Sequence, residues 1–202
     1  MPTAFQHAYL SGSGPRTLLL LHGTGGNEND LLPLGRSLDP EAHLLSPLGR
    51  VRENGMPRFF RRLAEGVFDE EDLFHRTHEL ADFVEAVLAE RNLSRSDLVA
   101  VGYSNGANIA ASLLLLRPEV LSGAILLRAM VPLVPNVLPD LGGRRVLISS
   151  GRHDPLVPAK NAGRLASLLR NSGAEVTHHW EDTGHGLTSA TVKTARGWLG
   201  SD

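Results

Sequence analysis

With 202 residues, 42% of them apolar, the chain is long enough for one domain (1–202) with a substantial core. It has no cysteine, which excludes disulfides, thiolate metal sites and a cysteine nucleophile. A net charge of −2 gives nucleic acid no electrostatic reason to bind, and no apolar run is long enough to span a bilayer.

The first ten residues, "MPTAFQHAYL", lack the basic start and apolar centre of a leader, so a cytoplasmic location is expected. "TLLLLH" (17–22) is a short continuous apolar run that stops at glycines, the pattern of a strand buried on both faces of a parallel sheet. "HLLSP" (43–47) is a second candidate strand, and 48–68, with its Gly and Pro, reads as an irregular loop. A helix is predicted from Asp69 to Arg91. Acidic residues occupy its first turn, and Leu73, Leu80, Val84, Val87 and Leu88 form a buried stripe. A strand at 97–103 leads into a helix from Asn105 to Arg117, which Pro118 ends. Further strands are predicted at 123–128, 144–150 and 175–181, and further helices at 159–171 and 188–199. Strands alternating with helices imply an α/β fold, a mostly parallel sheet with helices on both faces. Reactive groups in such folds gather at the carboxyl ends of the strands.

"GYSNG" (102–106) places Ser104 between two glycines where a strand meets a helix. A serine hydroxyl needs a base to take its proton, and a tight turn would lift it clear of the sheet. The plain alternative is a helix-capping serine. An acid and a base should follow in that order. Asp154 in "GRHDPLVP" and His185 in "DTGHGL" do so, each in a loop after a separate strand. Asp154 would hold the imidazole's tautomer while His185 takes the proton. Asp182 is expected to cap its turn rather than orient His185. His153 is expected to have no acid placed to serve it. His75 with His78 is read as a solvated helix patch, and no metal motif is present. Backbone amides of Asn105, just after the serine, and of Thr24 in "LHGTGG" are the expected oxyanion donors. That loop lacks the Gly-Lys-Ser/Thr of a phosphate loop.

With "LHGTGGNENDLLPL", "RENGMPRFFRR", "GYSNGANIA", "LLRAMVP" and "GRHDPLVP", residues 16–199 resemble the α/β-hydrolase superfamily. More narrowly the chain is similar to the bacterial phospholipase/carboxylesterase group, which includes small esterases and acyl-protein thioesterases. The resemblance implies a Ser-Asp-His hydrolase with no cofactor and no large cap domain. Acyl-protein thioesterases usually carry Gln where this chain has Asn105, and "HGLGD" where it has "HGTGG", which points away from long-chain acyl groups.

In 53–60, Arg58 either binds a carboxylate or hydroxyl of the substrate or anchors the loop, and Phe59 either packs on substrate or builds a satellite core. Met130 and Leu156 are expected as apolar neighbours of the site. The expected activity is hydrolysis of small or short-acyl carboxylic esters through an acyl-enzyme. The alternatives are a thioesterase or lysophospholipase, and a non-catalytic ligand-binding protein on the same fold. The expected partner is a small-molecule ester, with no membrane or nucleic acid and with a homodimer left open.

Overall fold

A computed structural model describes residues 5–201, so the first four residues of the stretch read for a leader lie outside the described residues. One seven-stranded sheet runs in the spatial order β1 (His7–Leu10), β3 (His43–Pro47), β2 (Thr17–Leu21), β8 (Leu98–Tyr103), β9 (Gly123–Leu127), β10 (Arg145–Gly151) and β11 (Glu175–Glu181). β1 pairs antiparallel with β3, and the other neighbours are parallel. The chain is thus the α/β fold expected, with an antiparallel edge strand added.

Successive strand side chains point to opposite faces, and here both faces are covered. Leu19 and Leu21 join Ala100, Leu126, Val146 and Ile148 in one apolar layer. Leu18 and Leu20 join Val99, Val101, Ile125 and Leu147 in the other. That is why "LLLL" is unbroken rather than alternating: Leu18 to Leu21 are all 0% exposed, and such burial contributes about 2 kcal/mol for each. Helices α2 (Glu70–Arg91), α3 (Asn105–Leu116) and α4 (Ala159–Asn171) cover the first layer. Helices α1 (Leu32–Leu38) and α5 (Ser189–Leu199) cover the second. The Asp69 carboxylate caps α2 by accepting from the amide of Asp72, and the predicted stripe of Leu73, Leu80, Val84, Val87 and Leu88 is buried. No helix among the described residues is long and apolar enough to cross a membrane.

The segment read as an irregular loop, 48–68, is two β-hairpins. β4 (Val51–Glu53) pairs with β5 (Met56–Arg58), and β6 (Arg62–Ala64) pairs with β7 (Val67–Phe68). Asn54 and Gly55, both with φ near +50° to +82°, make the first two-residue reversal, and Gly66 at φ +72° serves the second. These hairpins bring β5 and the 62–68 turn over the carboxyl ends of the strands. Between β9 and β10 the described chain holds no helix, so no helical cap sits there.

Candidate active site

β8 ends at Tyr103 and α3 begins at Asn105, so Ser104 alone turns the chain, at φ +53° and ψ −114°. A non-glycine residue there is strained by about 1–3 kcal/mol, so the surroundings must hold it. The two glycines explain how. A Cβ on Gly102 would lie 2.4 Å from the carbonyl oxygen of Gly106, and one on Gly106 would lie 1.9 Å from that of Leu21. The helix can therefore sit on β2 and β8 only without side chains at both positions. Ser104 stands at the helix N-cap, yet its side chain makes no capping hydrogen bond. Instead its Oγ lies 2.9 Å from His185 Nε2.

His185 Nδ1 lies 2.8 Å from Asp154 Oδ2. A carboxylate can only accept, so the shared proton rides on Nδ1, which leaves Nε2 free to accept from the serine hydroxyl. The amides of Leu156 (2.9 Å) and Val157 (3.1 Å) donate to the other Asp154 oxygen, fixing the carboxylate. The Asp154 side chain is 1% exposed and that of His185 18%, so the base meets the cavity while the acid is sealed behind it. Tyr103 Oη donates to the carbonyl of His185 at 3.2 Å, with its ring centroid 5.5 Å from the imidazole. Two expectations nearby need correction. Asp182 caps no turn; its carboxylate lies 2.7 Å from His153 Nε2, so His153 does have an acid partner. Both side chains are exposed, and the acid bonded to His185 is Asp154. His78 also departs from the solvated patch: it is half-buried, with its ring 4.5 Å from that of Phe74. No group of three or more metal-ligating side chains occurs among the described residues.

The loop after β2 is built on His22, which is 1% exposed. Its Nδ1–H donates to the carbonyl of Gly23 (2.7 Å) and Nε2 accepts from the amide of Gly49 (2.9 Å). Burial lowers its pKa, in keeping with that neutral tautomer. Beyond it, the amides of Gly25 and Gly26 are spent on the carbonyls of Pro57 and Gly23. Thr24 lies between, its hydroxyl accepting from Arg58 Nη1 at 2.8 Å. Asn105 is the first residue of α3, where helical geometry gives an amide no carbonyl within the helix. Thr24, Ser104, Asn105 and His185 all line one cavity of about 410 Å³.

Arg58, Met130 and Leu156 line the same cavity. Arg58 makes the contacts of a loop anchor. It is 3% exposed, reaches the carbonyl of Phe60 (3.2 Å) and Glu53 (3.2 Å), and braces Thr24. Burial lowers its pKa and Glu53 opposes the change. Phe59 is not a cavity residue, contrary to the expectation of a substrate contact. The bend after β5 turns the ring inward, 2% exposed, into the main core, with its centroid 4.7 Å from that of His22. Its part in the site is through its backbone: the Phe59 amide donates to Asn105 Oδ1 at 2.8 Å.

Other wall residues were not singled out in the sequence. Arg62, Glu65 and Phe68 come from the second hairpin, Asn108 from α3, and Arg128 from the end of β9. Asn108 Oδ1 accepts from the amide of Met130 (2.9 Å), holding the wall to the helix. "GYSNGAN" gave a signal for Asn108, which lies one helical turn after Ser104. A lone arginine after a strand, such as Arg128, gave none.

A strained serine on a strand-to-helix turn, hydrogen-bonded in series to a histidine and a sealed aspartate, defines the class of α/β-fold hydrolases. The comparisons with known proteins agree. A family model described as phospholipase/carboxylesterase matches residues 12–200, and the chain belongs to that family of ester hydrolases. It is 53% identical to MhqD of Bacillus subtilis (strain 168) over 193 residues, 96% of each chain. The crystal structure of a Bacillus cereus carboxylesterase superposes with a TM-score of 0.95 at 50% identity, covering 97% of this chain and 93% of that one. A Mesorhizobium loti carboxylesterase superposes with a TM-score of 0.89 at 32% identity, covering 95% and 91%.

Proposed function

We propose that the protein is a serine esterase that hydrolyses small or short-acyl carboxylic esters through an acyl-enzyme. Ser104 Oγ attacks the ester carbonyl as His185 Nε2 takes its proton. Collapse of the tetrahedral intermediate expels the alcohol, protonated by His185, and leaves the acyl group on Ser104. Water, deprotonated by the same imidazole, then releases the acid and restores the serine. Asp154 keeps the ring in the acceptor tautomer and stabilises the imidazolium. The amides of Asn105 and Thr24 receive the oxyanion, each contributing about 3–4 kcal/mol to the transition state. The dipole at the start of α3 acts in the same direction.

The observation that carries this reading is the unbroken chain Ser104–His185–Asp154, with 2.9 and 2.8 Å links, opening on a cavity of about 410 Å³. The preference for small esters rests on the wall. Arg62 and Glu65, both open to solvent, line it beside the buried Arg58 and Arg128, and a long alkyl chain would take water from Arg62 and Glu65 with nothing polar to replace it. A second cavity of about 430 Å³ shares Gly66 and Phe68 with the first, but Glu70, Asn161 and Arg164 line it beside Val131 and Leu133, so it offers no continuous apolar groove for the long acyl chain of the thioesterase or lysophospholipase alternative.

The test is a series of p-nitrophenyl esters from acetate to palmitate, with matching thioesters, on the wild-type protein and Ser104→Ala. Best turnover on acetate or butyrate, abolished in the variant, is the expected result. An optimum at long chains would move the reading to the alternative. Undiminished turnover by Ser104→Ala would end the serine mechanism. A folded protein that hydrolyses no ester and takes up no fluorophosphonate would mark a binding protein instead.

A further inference from the structure

The guanidinium of Arg128 is 0% exposed, an unusual place for a permanent charge. Arg128 follows β9 in the left-handed region, at φ +59°, with its amide donating to the carbonyl of Ser149. That conformation sends the side chain beneath the loop between β11 and α5, the loop that carries His185. There Nη2 donates to the carbonyl of Gly186 at 2.9 Å, and Nη1 donates to Ser149 Oγ at 2.9 Å. Glu181, the last residue of β11, supplies the counter-charge at 3.4 Å. The hydroxyls of Ser149 (2.8 Å), Thr188 (2.6 Å) and Thr191 (2.7 Å) donate to the same carboxylate. Thr188 is in turn the N-cap of α5. One buried polar cluster therefore grips the histidine loop at Glu181 just before it, at Thr188, its last residue, and at Gly186, next to the imidazole.

Stability alone is a poor reason for such a cluster. Removing two charges from water costs several kcal/mol each, and well-packed apolar side chains usually serve a fold as well. What an ion pair with directed hydrogen bonds supplies is position. The serine–histidine link at 2.9 Å is the part of the site that depends on it, since a displacement of about 1 Å costs on the order of a hundredfold in rate.

We propose that Arg128 is a positioning residue for the proton carrier: paired with Glu181 inside the fold, it holds the carbonyl of Gly186 and so sets the ring of His185 against Ser104. The proposal rests on the esterase reading above. Arg128 also lines the cavity, so a direct contact with substrate is the rival role, and Glu181, which does not line it, separates the two.

The experiment measures kcat and KM for p-nitrophenyl acetate in Arg128→Met, Arg128→Lys and Glu181→Gln, normalised to the folded fraction by near-ultraviolet circular dichroism. Positioning requires kcat to fall at least tenfold in Arg128→Met with KM within twofold, and in the same sense in Glu181→Gln. Arg128→Lys, which keeps the charge and one donor, should recover part of the loss. A loss confined to KM would make Arg128 a substrate contact and overturn the proposal, as would an unchanged kcat in Arg128→Met or Glu181→Gln. If Arg128→Met does not fold, Arg128→Lys and Glu181→Gln still decide, because each keeps a polar partner in the cluster. Failure of the underlying reading would show differently, as hydrolysis by Ser104→Ala.

Discussion

Substituting Gly106 by alanine tests whether the fold is built around the turn at Ser104. The added Cβ would meet the Leu21 carbonyl oxygen at 1.9 Å, Leu21 C at 2.4 Å and the His22 carbonyl oxygen at 2.6 Å. Ordinary contact begins near 3.4 Å, so helix and strand must part by roughly 1.5 Å. The obstacle is backbone of a central strand, which no rotamer change relieves. Overpacking typically costs about 1–3 kcal/mol, and this case belongs at or above the upper end. The same displacement separates Asn105 from Thr24, because Leu21 and His22 lead directly into the Thr24 loop. Esterase kcat/KM should therefore fall by about a hundredfold or more in the molecules that remain folded. Urea unfolding gives the stability and p-nitrophenyl acetate the rate. Gly163→Ala is the control: it lies in α4 with nothing within 4 Å of the added carbon, and should stabilise by up to about 1 kcal/mol with full activity. A Gly106→Ala protein as stable and active as the wild type would refute the reasoning.

Asp154→Asn should keep the fold, since Oδ1 can still accept from Leu156 and Val157. It should cut kcat by about 10⁴, because the amide favours the wrong imidazole tautomer; a loss under tenfold in steady-state assays would count against Asp154. Asn105→Ala removes the acceptor of the buried Phe59 amide and should cost about 1–3 kcal/mol in urea unfolding, where an unchanged midpoint would contradict that contact. For Glu181, burial alone would raise the pKa, but hydrogen bonds from Thr188, Thr191 and Ser149 and the charge of Arg128 outweigh it, leaving it at about 2 against an ordinary 4.5. A depressed carboxylate stabilises the fold fully above its unfolded pKa. Some 3 kcal/mol should thus be present above about pH 4.5 and be lost as pH falls toward 2. Urea unfolding from pH 6 to 2.5 should show that slope in the wild type and not in Glu181→Gln; parallel curves would contradict it.

The central strands were legible because burial on both faces makes every position apolar, as "TLLLLH" shows. The loops holding Ser104 and Asp154 were legible for a related reason, since each follows a buried strand, whereas the loop of His185 follows the half-exposed edge strand β11 and was legible through its flanking glycines. What escaped was short or local. β1 at the sheet edge carries no apolar run, and α1 is only seven residues long with Pro33 and Gly35 inside it. The first hairpin did announce itself through Asn54-Gly55, but strands of three residues give no periodicity to set beside that turn. Phe59 was placed at the site because its segment follows the carboxyl end of β3, but Arg58, Phe59 and Phe60 are all buried, and the ring of Phe59 joins the core instead. Arg128 was illegible because its role depends on Glu181 and Gly186, more than fifty residues away.

The esterase reading stands most directly on a covalent intermediate at one named atom. Intact-protein mass spectrometry of the enzyme quenched in acid during turnover of p-nitrophenyl acetate, followed by peptide mapping, reads this. A single acetyl adduct on Ser104, absent from Ser104→Ala and accumulating in His185→Ala only at a greatly reduced rate, is the expected result. Turnover with no adduct, or an adduct on any other side chain, would contradict it.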